Sequence, residues 1–329
     1  MLGTAVGDAL GLPYEGVSAT RASRLLGPAE RYRFFFGRGM ISDDTEHTCM
    51  VAQPLVEARG DVDVFLALPA GKGKATARSG IKLWLGTKPK NAGVFSAGNG
   101  PAMRADIFGA AIDDDALMLE MVRASSRLTH SDPKAEYGAI AIALAAKHSR
   151  LHETIDANLW LDQVVNAVGE DGIEFIDLLR NAIQSVSDKE STIAFAGSLG
   201  LAKSVTGFTY HTVPVAVRAW LSYPKDFRQA VTEMIRCGGD ADTTAAIVGG
   251  IIGAGTGREG IPHDWVIGIW EWPRSSGWME KLSESLAESI VGNKYVKSPA
   301  INPLAVLARN LLFLLIVLFH GFRRLLPPY

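Results

Sequence analysis

The sequence predicts an all-α protein. Apolar residues recur at helical spacing through most of the chain, strand signals are scarce, and Gly- and Pro-rich loops separate the periodic segments. In 113–130, Leu117, Met118, Met121, Val122, Ser125 and Leu128 fall on one helical face. The alanine-rich stretch 134–150 follows Pro133 and reads as a tightly packed inner helix. Similar patterns occupy 154–168, 173–186, 213–221, 225–236, 243–254 and 278–291. The best strand signal is the short run YRFFF at 32–36.

Composition bounds the class. The chain has 329 residues, of which 47% are hydrophobic, so it can bury a sizeable core. Lys and Arg number 33 against 35 Asp and Glu, a near balance that argues against a nucleic-acid partner. Two distant cysteines, Cys49 and Cys237, make neither a disulfide framework nor a cysteine-based zinc site. The N-terminus lacks the basic start and apolar core of a signal peptide, and a cytoplasmic location is expected. One compact domain is expected over 1–297, as a monomer, followed by a distinct tail over 298–329.

That tail contains the unbroken apolar run Leu311–Phe319. The run is shorter than the roughly 20 residues a membrane-spanning helix needs, and extending it to Leu304 takes in Arg309 and Asn310. If the body is cytoplasmic, spanning would also carry Arg323 and Arg324 outward, against the positive-inside tendency. A helix docked on the body or a partner, or lying in the membrane interface through 304–326, fits better.

Two acidic loops carry the chemistry. ISDDTEHTCM (41–50) sets Asp43 and Asp44 side by side between Ser42 and Thr45. CGGDADTTAA (237–246) sets Asp240 and Asp242 ahead of Thr243 and Thr244, at the head of an apolar helix. The plain reading is helix capping, and Asp43 with Glu46 has capping-box spacing. The sharper reading is a metal site: crowded carboxylates repel unless a cation or proton intervenes, and oxygen-only donors suit Mg²⁺ or Mn²⁺. Spacing alone leaves both readings open.

Weaker signals accompany them. Gly98, Asn99 and Gly100 form a loop whose backbone amides could cradle a phosphate, although most such stretches are ordinary turns. His130 stands at a helix end before Pro133, either as a plain polar terminus or as a ligand contact. Glu15 lies in a loop, where most glutamates are simply solvated.

In combination these segments resemble the ADP-ribosylglycohydrolase family. The matching pieces occur in the family's order: GTAVGDALGLPYEG (3–16), SDDTEHT (42–48), GKGKAT (71–76), SAGNGPAMR (96–104), SRLTHSDP (126–133) and CGGDADTTAA (237–246). The resemblance implies a compact orthogonal helical bundle with two divalent cations, Mg²⁺ or Mn²⁺, beneath an ADP-ribose cleft. It implies metal oxygens from Ser42, Asp43, Asp44, Asp240, Asp242 and Thr243, and catalysis through these aspartates and Glu15. Asn99, Gly100 and Met103 would line the diphosphate and ribose pocket, with His130 contacting the ligand. The implied reaction removes ADP-ribose from an ADP-ribosylated protein, with arginine the expected acceptor and ADP-ribose the product. The alternatives are a non-catalytic ADP-ribose-binding module and a membrane-associated immunity or scaffold protein. Two departures stand out: Met1 falls inside a helical segment that begins earlier in the family, and Thr244 occupies a position where relatives often carry Asn.

Overall fold

A computed structural model describes residues 1–67 and 93–326; the GKGKAT stretch at 71–76 lies outside the described residues. Sixteen α-helices lie among the described residues. The first eight are α1 (Leu2–Gly11), α2 (Ala19–Leu25), α3 (Asp43–Ala58), α4 (Val62–Ala67), α5 (Asp106–Ala111), α6 (Asp115–Thr129), α7 (Pro133–Leu151) and α8 (Ala157–Val168). They are followed by α9 (Ile173–Ser187), α10 (Thr192–Ser198), α11 (Thr209–Ser222), α12 (Phe227–Arg236), α13 (Ala241–Thr256), α14 (His263–Gly268), α15 (Ser276–Ile290) and α16 (Pro303–Arg324). Every helix expected from periodicity is present, with ends moved by a few residues.

Many starts are fixed by side-chain caps. Asp114, Asp132, Asp156, Ser191, Asp226 and Ser275 each accept a bond from a first-turn N–H, satisfying a donor the helix cannot. The expected strand at 32–36 is not formed. Phe35 bridges only to Arg38, across a tight turn in which Phe36 has φ 46°. The three phenylalanines part company there: Phe34 packs against α16, Phe35 stacks on Trp270, and Phe36 is left exposed. Among the described residues the one sheet is a two-residue pair, β1 (Val17–Ser18) antiparallel to β2 (Gly238–Gly239).

Helix α13 is the axis of the core. It is buried from Ala241 to Ile252 and packs against α1, α7, α11 and α12. Its closest partner is α1, where glycines bring backbone against backbone. A methyl group at Gly3 would fall 2.1 Å from the Gly249 carbonyl oxygen, and one at Gly7 2.1 Å from that of Ala245. The alanines of α7 let it pack against the other side. Larger side chains fill the periphery, as where Trp160 meets Trp220 edge-on at 5.6 Å. Burying each such residue contributes about 2–3 kcal/mol.

The tail is the single helix α16, long and apolar enough to cross a membrane by length and composition. Here it packs on the body. The Arg309 guanidinium is buried between Glu271 (2.7 Å) and the Ile41 carbonyl (2.5 Å), and Ile316 fits beside Leu12, Phe34 and Met40.

Candidate active site

The two acidic loops meet. Thr243 Oγ1, at the head of α13, donates to Asp44 Oδ2 (3.2 Å), at the head of α3. Position 240 is set by the CGG turn: Gly238 and Gly239 have φ +65° and +85°, a region that favours glycine. They pair with β1, and the Asp240 N–H donates to the Val205 carbonyl (2.9 Å). The chain then enters α13 with Asp242 in its first turn.

Two sets of carboxylate oxygens result, each within 4.8 Å of one another: Asp8 with Asp44 and Asp242, and Glu15 with Asp240 and Asp242. Asp242 belongs to both. Asp43 lies outside these sets, exposed on the first turn of α3, yet close enough for its charge to act on Asp44 and Asp240. None of Asp8, Asp44, Asp240 and Asp242 forms an ion pair with a described Lys or Arg.

Burial without counter-charge raises these carboxyls. The Asp44 carboxyl is pushed well above its ordinary range by burial and then by the charges of Asp8, Asp43 and Asp240. Asp242 is raised well above its range by burial, Asp44 and Glu15. Asp240 rises to about 6 through burial and Glu15, against the Asn99 hydrogen bond that lowers it. Burial carries Asp8 to about 7.

Capping accounts for only part of this. Ser42, not Asp43, caps α3, its Oγ accepting from the Asp44 N–H (3.3 Å). Glu46 does not close a capping box; it pairs with Arg274 (2.9 Å) instead. Asp240 stands at the N-cap position of α13, but its side chain makes no capping bond. Its Oδ2 accepts from Asn99 Nδ2 (2.5 Å), which ties the glycine loop to the second acidic loop.

The remaining expected residues gather around these loops. Glu15 Oε2 accepts from the Ala241 N–H (3.1 Å). The Met103 N–H donates to the Asn99 carbonyl (3.0 Å), and its side chain is buried. Gly100 is crowded by His130: a methyl group there would fall 2.9 Å from Cε1. The His130 ring is neutral because burial, then Arg104, lowers its pKa to about 4. Thr129 Oγ1 accepts from Arg104 Nη2 (2.7 Å) and faces His130 Nδ1 (2.8 Å). The Thr129 hydroxyl also reaches the Ser126 carbonyl (3.4 Å), and the other ring nitrogen, Nε2, lies on the Gly98 side of the glycine loop.

Three functional neighbours were not singled out from sequence. Asp8, inside α1, accepts from the Ser42 N–H (2.9 Å), the Thr45 N–H (3.2 Å) and the Thr45 hydroxyl (2.5 Å). With those lone pairs engaged it orients the first acidic loop. Its signal was a lone carboxylate in an otherwise apolar helix. Arg104 is buried beneath the glycine loop and donates to the Gly100 carbonyl (2.6 Å). Arg324, from the tail, donates to the Glu15 carbonyl (2.5 Å), and no local signal marked it.

The family model described as ADP-ribosylglycohydrolase matches residues 1–295. The chain belongs to the ADP-ribosylglycohydrolase family. An uncharacterized protein of Archaeoglobus fulgidus is 29% identical, over 88% of this chain and 94% of that protein. The ADP-ribosyl-[dinitrogen reductase] glycohydrolase of Rhodospirillum rubrum is 25% identical over 80% of this chain and 87% of its own length. The ADP-ribosylhydrolase ARH3 of Xenopus tropicalis is 27% identical over 58% of this chain and 61% of its length. A solved ADP-ribosylglycohydrolase-related protein complex shares the fold, with a TM-score of 0.61, 23% identity and coverage of 87% of this chain and 95% of that one. As a member of this ADP-ribosylglycohydrolase family the chain is a glycosidase that hydrolytically releases ADP-ribose, and α16 lies beyond the matched region.

Proposed function

We propose that the protein is a divalent-metal-dependent hydrolase that frees ADP-ribose from a modified protein side chain, with arginine as acceptor. The observation that carries the reading is the buried Asp44 Oδ1, which has no hydrogen-bond partner inside a ring of carboxylates without cations. A buried acceptor left this way costs about 1–3 kcal/mol unless something else satisfies it. Oxygen-only donors fit Mg²⁺ or Mn²⁺. Ser42, Asp43, Asp44, Asp240, Asp242 and Thr243 would hold the ions, with Asp8 orienting Ser42 and Thr45 from behind. Bound divalent ions would supply Lewis-acid polarisation of ribose oxygens and of water.

The chain's own groups divide the remaining work. Cleavage at the anomeric carbon builds positive charge on the ribose ring, which fixed carboxylates stabilise. Glu15, beside Asp240 and Asp242, would accept a proton from water. Asn99 fixes Asp240, and the His130 ring would contact the ligand through Nε2. The acceptor assignment draws support from charge. If two divalent ions hold all six carboxylates (Asp8, Glu15, Asp43, Asp44, Asp240, Asp242) ionised, two negative charges remain, and such a cleft would suit a guanidinium leaving group.

The test is release of ADP-ribose from arginine-modified protein with Mg²⁺ or Mn²⁺, compared with EDTA and with Asp242→Asn. Release that needs metal and is lost in the variant supports the reading. Tight ADP-ribose binding without release would make the protein a binding module.

A further inference from the structure

Helix α16 is apolar on its water-facing side as well as where it meets the body. A surface helix turns its apolar stripe to the core and its polar stripe to solvent. Here Arg309, Ile316, His320 and Arg324 face the body, while Leu304, Leu307, Leu311, Leu315, Leu318 and Phe322 point outward, each 47–75% exposed. Among the exposed side chains of α16 only Asn310 and Arg323 can form hydrogen bonds.

The helix is also tied down along its length. Arg309 is held by Glu271 and the Ile41 carbonyl, His320 Nε2 bonds the Phe34 carbonyl (2.6 Å), and Arg324 reaches the carbonyls of Glu15 (2.5 Å) and Pro13 (3.0 Å). Those anchors span about 22 Å of helix. While they hold, α16 lies flat and cannot stand across a bilayer.

Its flanks are basic and aromatic. The Phe34 ring packs on Phe313 (5.4 Å) and His320 (5.0 Å), so the 31–38 loop lies beside the helix. That loop presents Arg31, Arg38 and Phe36, the last 94% exposed. At the other side Arg21 donates to the Arg324 carbonyl. The segment 21–38 has five arginines against one glutamate, in a chain of net charge −2.

We propose that α16 and the 31–38 loop form an in-plane docking face for an anionic bilayer. The leucine stripe enters the headgroup–acyl boundary, the exposed phenylalanines sit at its edge, and the arginines meet lipid phosphates. Because Arg309 bonds the residue before Ser42 and Arg324 bonds Glu15, docking sets the acidic cleft about one helix diameter from the lipid. The proposal is independent of the acceptor and metal assignments above.

The experiment is co-sedimentation of the full chain with vesicles of phosphatidylcholine alone or mixed with phosphatidylglycerol. The expected result is at least about tenfold stronger partition onto the anionic vesicles, weakened by salt and reversed by an alkaline wash. Leu311→Glu/Leu315→Glu changes only outward side chains, so it should abolish binding with Tm retained. Phe36→Asp, in the loop, should weaken binding several-fold and decides the matter if the double variant unfolds. Equal partition onto neutral vesicles, or retention after the alkaline wash, overturns the proposal. So does failure to bind vesicles by a full chain that elutes as a dimer and becomes a monomer in Leu311→Glu/Leu315→Glu.

Discussion

Two buried charge clusters begin on the same helix, two residues apart, and obey opposite rules. Glu46 of α3 faces Arg274 at 2.9 Å and Arg309 at 3.7 Å, and the neighbouring Glu271 takes two bonds from Arg309. Asp44 of α3 faces Asp8 and Asp242, with no cation among its partners. The first cluster is balanced by guanidinium groups. Burial raises Glu271 of the first against the Arg309 bonds that lower it, whereas in the second burial and neighbouring carboxylates together push Asp44 and Asp242 well above their ordinary range. A fold that can place Arg309 beside Glu271 could have neutralised Asp44 in the same way. That it does not supports the cation site proposed for the second cluster, whereas the first is a brace.

The sharpest break in the comparison is functional. Asp44→Asn and Asp242→Asn should each lower metal-dependent ADP-ribose release by about 10³-fold or more. They should leave the metal-free Tm unchanged or raised, because each removes a repelled charge. A metal-free Tm well below wild type, or retained turnover, would remove the distinction between the clusters.

The brace should behave in reverse. Arg309→Ala leaves Glu271 buried without its partner and should cost about 3–5 kcal/mol in chemical denaturation. Replacing both, as Arg309→Met/Glu271→Leu, should recover most of that loss. If the single variant matches wild type, Arg309 is a bystander.

Metal addition comes next in size. At a hundredfold excess over Kd, a ligand selective for the native state stabilises it by about 2.7 kcal/mol. Mg²⁺ or Mn²⁺ should therefore raise Tm by several degrees in wild type and not in Asp44→Asn, as read by scanning calorimetry.

The smallest effect is on pH. Asp8 at about 7, Asp240 at about 6, and Asp44 and Asp242 beyond their ordinary range are raised carboxylates. Their neutral forms are favoured on folding, so their contribution is present near pH 4 and is lost as pH rises through about 7. His47 and His130, lowered to about 4, and His148 and His211, also lowered, act oppositely, since they resist charging on folding. With Asp106 and Glu271, also raised, the carboxylates outnumber them, so the metal-free Tm should fall between pH 5 and pH 8 on buffer-matched scans. Saturating metal should flatten that slope.

The helical body was legible because each helix carries its own period and often its own cap, as at Asp132 and Asp156. The run at 32–36 misled because three phenylalanines in sequence say nothing about where each ring packs. The acidic residues were visible as types, but their convergence was not: Asp44 and Thr243 meet through the packing of α1, α3 and α13, and the family resemblance stood in for that knowledge. Asp43 was expected among the close carboxylates, and the helix start turns it outward. Arg309 and Arg324 were unreadable as neighbours of the site, since nothing local links a leucine-rich tail to Ile41 or Glu15.

The glycine contact between α1 and α13 has a further consequence. Asp8 rides on one helix and Asp242 on the other, and at Gly7 and Ala245 the two meet main chain to main chain. A joint without side chains has no rotamers through which to breathe. The gap between those two carboxylates is therefore a rigid calliper, and a single added methyl at position 7 would jam it open.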